Sequence, residues 1–87
     1  MITKIIQVTQ TIEVTVDETK FTDEFMREYR EYFYDFDDID DHLRFLASQE
    51  AQGFVSHGSA FIEGYGPMNE MGISFNTTSL ETDVIDA

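Results

Sequence analysis

The chain has 87 residues, and its 18 acidic and five basic side chains give a formal net charge of −13 at pH 7. This charge argues against nucleic acid or an anionic membrane as a ligand, and it favours a basic partner, cation binding or solubility alone. Cysteine is absent, which excludes disulfides, thiolate metal sites and a cysteine nucleophile. Apolar residues make up 41% of the chain, which is enough for the core of one domain spanning residues 1–87.

Residues 2–16 predict a long β-strand, because apolar and polar residues alternate with a period of two. The alternation breaks near Gln10, where a strand of this length is expected to bend or bulge. A long first strand in a small sheet leaves an exposed edge, and such edges tend to be paired or covered. The sequence therefore also predicts a homodimer.

Two helices follow. Thr22 is the expected N-cap of the first, and the acidic residues after it suit the positive end of the helix dipole. The second begins after Asp37 or Asp38, which are both good caps, and ends before Gly53, which is expected in the left-handed conformation. Aromatic residues at steps of three and four, Phe25, Tyr29, Phe33 and Phe36, predict an apolar stripe along the first helix.

The remainder predicts strands. Residues 54–63 predict a second, less regular strand, and the following Gly64-Tyr65-Gly66-Pro67 predicts a turn. In residues 71–75 apolar and polar side chains alternate again, which predicts another strand. Residues 78–87 are expected either to add a short extra strand or to fray. The order is β-α-α-β-β. We predict an α+β fold with an antiparallel sheet of three or more strands and two helices on one face.

The acidic stretch 35–41 leaves two interpretations open. It fails the calcium-loop pattern, because the turn glycine and the final glutamate are missing. The aspartates therefore decorate a solvated helix N-terminus or form an acidic face that binds a partner. Tyr65, in its glycine turn, is expected to be an exposed anchor for a protein contact.

Neither histidine belongs to a recognisable catalytic arrangement. His57 lies in Ser56-His57-Gly58-Ser59, where neighbouring strand residues point to opposite faces, and nothing there resembles an oriented triad. His42 has acidic neighbours without a convincing metal-ligand spacing. We therefore predict no enzymatic activity, no metal and no cofactor.

Three stretches together resemble an uncharacterised family of small acidic proteins of bacteriophages and prophages. They are VDETKFTDEFM (16–26), YFYDFDDIDDHL (32–43) and FIEGYGPMNEMGI (61–73), and the similarity covers roughly residues 12–75. The family offers no functional residues to carry over. By analogy with small acidic phage proteins, the resemblance implies an inhibitor of host machinery of the anti-CRISPR or DNA-mimic type.

The leading hypothesis is an acidic phage-type protein that inhibits or modulates a host nucleic-acid-binding complex by engaging its basic surface. The alternative is a structural or regulatory interaction module with a non-basic partner, and a small metal-binding or enzymatic domain ranks third. No direct contact with nucleic acid or membrane is predicted, and the expected location is the host cytoplasm. The expected contact residues are Glu28, Glu31, Asp35, Asp37, Asp38, Asp40, Asp41 and Tyr65.

Overall fold

The computed structural model describes residues 1–55 and 61–85, and confirms the α+β class. A small helical body carries a long two-stranded ribbon, so that the molecule measures 52 × 26 × 21 Å. The elements in chain order are β1 (Ile6–Thr15), a 3-10 turn (Glu18–Lys20), α1 (Asp23–Tyr32), α2 (Ile39–Ala51), β2 (Phe61–Ile62), β3 (Gly66–Pro67), α3 (Met68–Met71) and β4 (Ser74–Val84).

The ribbon joins the two ends of the chain. β1 pairs antiparallel with β4, from Ile6 opposite Val84 to Thr15 opposite Ser74. The register shifts between Thr11 and Ile12, next to the predicted break at Gln10, although the extra residue lies in the partner strand. Residues 78–84, for which a short extra strand or a frayed end was expected, continue the strand β4 that begins at Ser74. Residues 86–87 lie outside the described part.

The prediction of one sheet with three or more strands is wrong for the described residues. They form two separate two-stranded sheets, because β2 pairs only with β3. Of the expected strand 54–63, Phe61–Ile62 form β2 and residues 54–55 and 63 are not in a strand. Residues 56–60 lie outside the described residues. Met71 ends the short helix α3 rather than starting a strand, since Gly72 closes that helix at φ 65°.

Both predicted helix starts are confirmed. The Thr22 hydroxyl accepts a hydrogen bond from the Phe25 amide at 3.1 Å, and the Asp38 carboxylate accepts one from the Asp41 amide at 3.0 Å. These caps satisfy backbone donors that a helix cannot pair internally. After α2, Gly53 takes the expected left-handed conformation at φ 76°. Among the described residues, no helix has the length and apolar composition needed to cross a bilayer.

The core lies where the helices meet the β2–β3 hairpin and the inner end of the ribbon. Leu46 and His42 are completely buried at its centre. The ribbon contributes only its inner end, where Val14, Val16 and Phe75 pack against the core. The other buried core residues are Tyr29, Val55, Ile62, Tyr65, Met71 and Ile73.

Candidate functional site

His42 is enclosed by aromatic rings and has no exposed surface. Its Nδ1 atom lies 2.8 Å from the Tyr65 hydroxyl, and among the described residues its Nε2 atom has no hydrogen-bond partner. Desolvation lowers the pKa of His42 and outweighs the opposing effect of Asp41. A neutral, fully enclosed imidazole cannot contact a ligand from solvent. Its ring neighbours, with centroids 4.6–5.9 Å away, are Phe21, Phe25, Tyr29, Phe36 and Tyr65.

Tyr65 is not the exposed anchor that its glycine turn suggests, because only 6% of it is exposed. Burial raises its pKa, as does its hydrogen bond to Tyr29. Gly64 and Gly66 take φ values of 92° and 85°, which let this tight turn direct the ring into the core. The role of Tyr65 is therefore structural, and the prediction that it is an exposed contact is wrong.

Two of the predicted contact aspartates are occupied by the backbone of the helix junction. Asp38 caps α2, and the Asp41 carboxylate accepts the Asp37 amide at 3.0 Å, which together resemble a capping box. Asp41 also lies 3.5 Å from the Arg44 guanidinium. By contrast, Asp35, Asp37 and Asp40 are exposed. Asp38 and Asp41 therefore fit the interpretation of a helix N-terminus. The exposed Asp35, Asp37 and Asp40 lie beside them.

The predicted glutamates do not join this group on one surface. Glu28 lies beside Tyr32 and Gly64, on the hairpin side of α1. On the other side, the Arg30 guanidinium donates a hydrogen bond to the Phe36 carbonyl at 3.3 Å, towards α2. Glu31 is exposed, and the 3.6-residue period places it nearly opposite the buried Tyr29. The predicted contact set is therefore split around α1.

An exposed aromatic surface, which was not predicted from the sequence, lies next to the junction between α1 and α2. Tyr32, Phe33 and Tyr34 at the end of α1 meet Phe54 and Phe61 to line a shallow groove. Each of these five side chains is at least 45% exposed. We call these five residues the aromatic groove. The signal was available, because three consecutive aromatic residues cannot all face the core with a helical period of 3.6.

Two of the groove rings are held in place by buried or partly buried neighbours. Phe33 stacks on Tyr29 with ring centroids 5.0 Å apart, and Tyr34 stacks on Phe36 at 5.6 Å. Tyr34 also contacts Phe45 at 5.2 Å. Rings that are already ordered lose little conformational entropy when they bind a partner. The groove is therefore suited to binding without rearrangement of these rings.

One carboxylate lines this aromatic surface, and a second follows it in the chain. Glu63 lines the groove directly, and Asp35 follows Tyr34 in the chain. Full pairing of the five basic residues would still leave 18 − 5 = 13 carboxylates without a cation from this chain. Within residues 1–55 and 61–85, no group of three or more His, Asp or Glu side chains is arranged to hold a metal ion. The surface combines apolar contact area with negative charge.

Comparison of the chain with protein-family models, with curated proteins and with solved structures found no significant match.

Proposed function

We propose that the chain is a binding protein that engages a basic, partly apolar surface of a partner protein through the aromatic groove and the neighbouring carboxylates. The observation that carries this proposal is the clustering of five exposed aromatic side chains in a chain of net charge −13. Exposed aromatic groups packed in a cleft are typical of the energetic centre of protein interfaces.

The chemistry of the groove favours arginine as the side chain that it accepts. A guanidinium group can stack on the faces of Tyr32 or Tyr34 while it remains near Glu63 or Asp35. The excess negative charge would accelerate the encounter with a basic partner, particularly at low salt.

A nucleic-acid-binding complex is the partner class that this proposal favours, in line with the phage-type resemblance of the sequence. Its basic groove is built for phosphates, and the exposed Asp35, Asp37 and Asp40 would occupy phosphate positions. Asp38 and Asp41 would contribute less, because the helix cap already holds both carboxylates. The partner would then be inhibited through competition with its nucleic acid.

The charge contribution is tested by the triple variant Asp35→Asn, Asp37→Asn, Asp40→Asn, which leaves both capping aspartates in place. Exposed ion pairs contribute about 0.2–1 kcal/mol each, so removing three should weaken binding by about 3- to 150-fold, with the larger losses at low salt. Fluorescence anisotropy with a labelled peptide of alternating arginine and leucine measures it. The matched control, Glu13→Gln, Glu81→Gln, Asp83→Asn, removes the same charge from the ribbon and should change affinity by less than about threefold. Equal losses in both variants would contradict a localised acidic site.

The aromatic contribution is tested with Tyr32→Ala, because this side chain is 73% exposed. Truncation of an interface aromatic costs about 1–2 kcal/mol or more, which is about a tenfold loss of affinity for the same peptide. The loss should persist at 0.5 M salt, unlike that of the charge variant, since apolar contacts are not screened. Unchanged affinity of a folded Tyr32→Ala protein would remove the groove from the proposal.

A further inference from the structure

One face of the ribbon carries no charge. Residues directly opposite each other in antiparallel strands point to the same face of a sheet. We call the outer part of this face the arm face, which consists of the pairs Ile6–Val84, Val8–Thr82 and Gln10–Leu80. The opposite face is polar and acidic, with the pairs Gln7–Asp83, Thr9–Glu81, Thr11–Ser79 and Glu13–Asn76.

The bulge in β4 keeps this face continuous. Phe75 and Thr77 have odd numbers, whereas Leu80, Thr82 and Val84 have even numbers, so a regular strand would place the two sets on opposite faces. The extra residue Thr78 shifts the phase by one and brings both sets to the same side. The apolar surface that packs on the core at Val14 and Phe75 thus continues outward along the arm face.

Nothing in the described part of the chain covers the arm face. Its four aliphatic side chains, Ile6, Val8, Leu80 and Val84, are 47–60% exposed. Within residues 1–55 and 61–85, no third strand joins β1 or β4 there. A two-stranded ribbon alone is marginally stable in water, and contiguous apolar patches on soluble proteins mark interaction sites.

We propose that the arm face packs against the arm face of a second copy of this chain, so that the two ribbons form a two-layered, two-fold symmetric dimer. Two molecules of charge −13 repel each other across carboxylate-bearing surfaces, whereas the arm face contains no carboxylate. A basic partner of the aromatic groove would gain no ion pair from this uncharged face. A self-complementary face is what a two-fold interface requires.

The size of the arm face sets the expected strength of the dimer. Two faces of this length would bury about 1,000 Å² in total, near the lower limit of specific interfaces. The dimer should therefore dissociate in the micromolar range, with a mass of twice 10.1 kDa at higher concentration.

Adjacent residues of β4 provide a matched pair of variants. Leu80→Glu places a charge on the arm face, whereas Ser79→Glu places the same charge on the polar face, and neither residue has a charged cross-strand partner. In sedimentation velocity, Leu80→Glu should raise the dimer dissociation constant by about 100-fold or more, because the interface would bury an unpaired carboxylate. Ser79→Glu should leave it within about threefold of the unmodified chain. A monomer at all concentrations up to 0.5 mM, or equal effects of the two variants, would overturn the proposal.

A second measurement does not depend on a destabilising charge. The chain lacks cysteine, so Thr82→Cys and Ser79→Cys each introduce a unique thiol, on the arm face and on the polar face respectively. Between 1 µM and 0.5 mM protein, alkylation of Thr82→Cys should slow by about tenfold while that of Ser79→Cys stays constant. Equal protection at both positions would place the dimer contact elsewhere and overturn the proposal. Because no partner is added, this result is independent of the groove proposal.

Discussion

Gly72→Ala should destabilise the protein by about 3 kcal/mol or more, a large part of the stability of a domain of this size. Gly72 has φ 65°, and a Cβ atom there would lie 2.8 Å from the Asp17 Cβ and 2.9 Å from the Asp17 backbone nitrogen. The contact cannot relax easily, since the Asp17 amide donates to the Met71 carbonyl at 2.9 Å and the Asp17 carboxylate caps the 3-10 turn. Urea unfolding followed by circular dichroism measures the loss.

Gly53→Ala is the control that separates backbone strain from steric conflict. Gly53 also has positive φ, at 76°, but a Cβ atom there would meet nothing within 4 Å. Its replacement should therefore cost only the left-handed backbone term, about 1–2 kcal/mol. If both alanine variants lost the same stability, the close approach of Gly72 to Asp17 would not be a packing constraint.

The stability of the protein should fall as the pH is lowered through the titration range of histidine, because His42 is buried in its neutral form. Its folded pKa is lowered from the usual 6.5, chiefly by desolvation, with Arg30 acting in the same direction and Asp41 and Asp38 opposing. The unfolded chain then binds the proton more readily, so stability is full above pH 6.5 and declines below it, towards the folded pKa. Each unit of pKa difference costs about 1.4 kcal/mol, or about 6–11 °C in Tm.

His42→Gln isolates this contribution. Glutamine keeps a polar group near the Tyr65 hydroxyl but does not titrate, so the difference between the two proteins reports the protonation of this position. Thermal unfolding at pH 7.5, 6.5 and 5.5 should show a steeper loss of Tm for the unmodified chain than for the variant. Parallel pH profiles would mean that His42 titrates normally in the folded protein.

The local features of this protein could be predicted from the sequence. Thr22 and Asp38 cap the helices as expected, since a hydroxyl or carboxylate reaches amides only three residues away. Gly53 adopts positive φ, and β1 follows its period-two pattern. The excess of negative charge is likewise a property of composition alone.

The location of the candidate site depended on tertiary packing. The glycine turn predicts a bend at Tyr65, but the inward direction of the ring depends on its contacts with Tyr29 and His42, which come from other elements. Conversely, a helical aromatic stripe predicts a core position for Phe33, yet Tyr29 takes the buried position and leaves Phe33 and its neighbours exposed. Residue type does not predict this outcome, because the more polar tyrosine takes the buried position and the phenylalanine stays exposed.

Strand pairing is the other feature that only the tertiary structure decided. The pattern of residues 2–16 determined a strand with one apolar face, but not its partner. The structure pairs β1 with β4, close to the far end of the chain, and the sequence pattern did not identify this partner. Long-range pairing depends on which segments can match in length and keep their apolar faces together. Here the single bulge at Thr78 brings the whole of β4 into phase with β1.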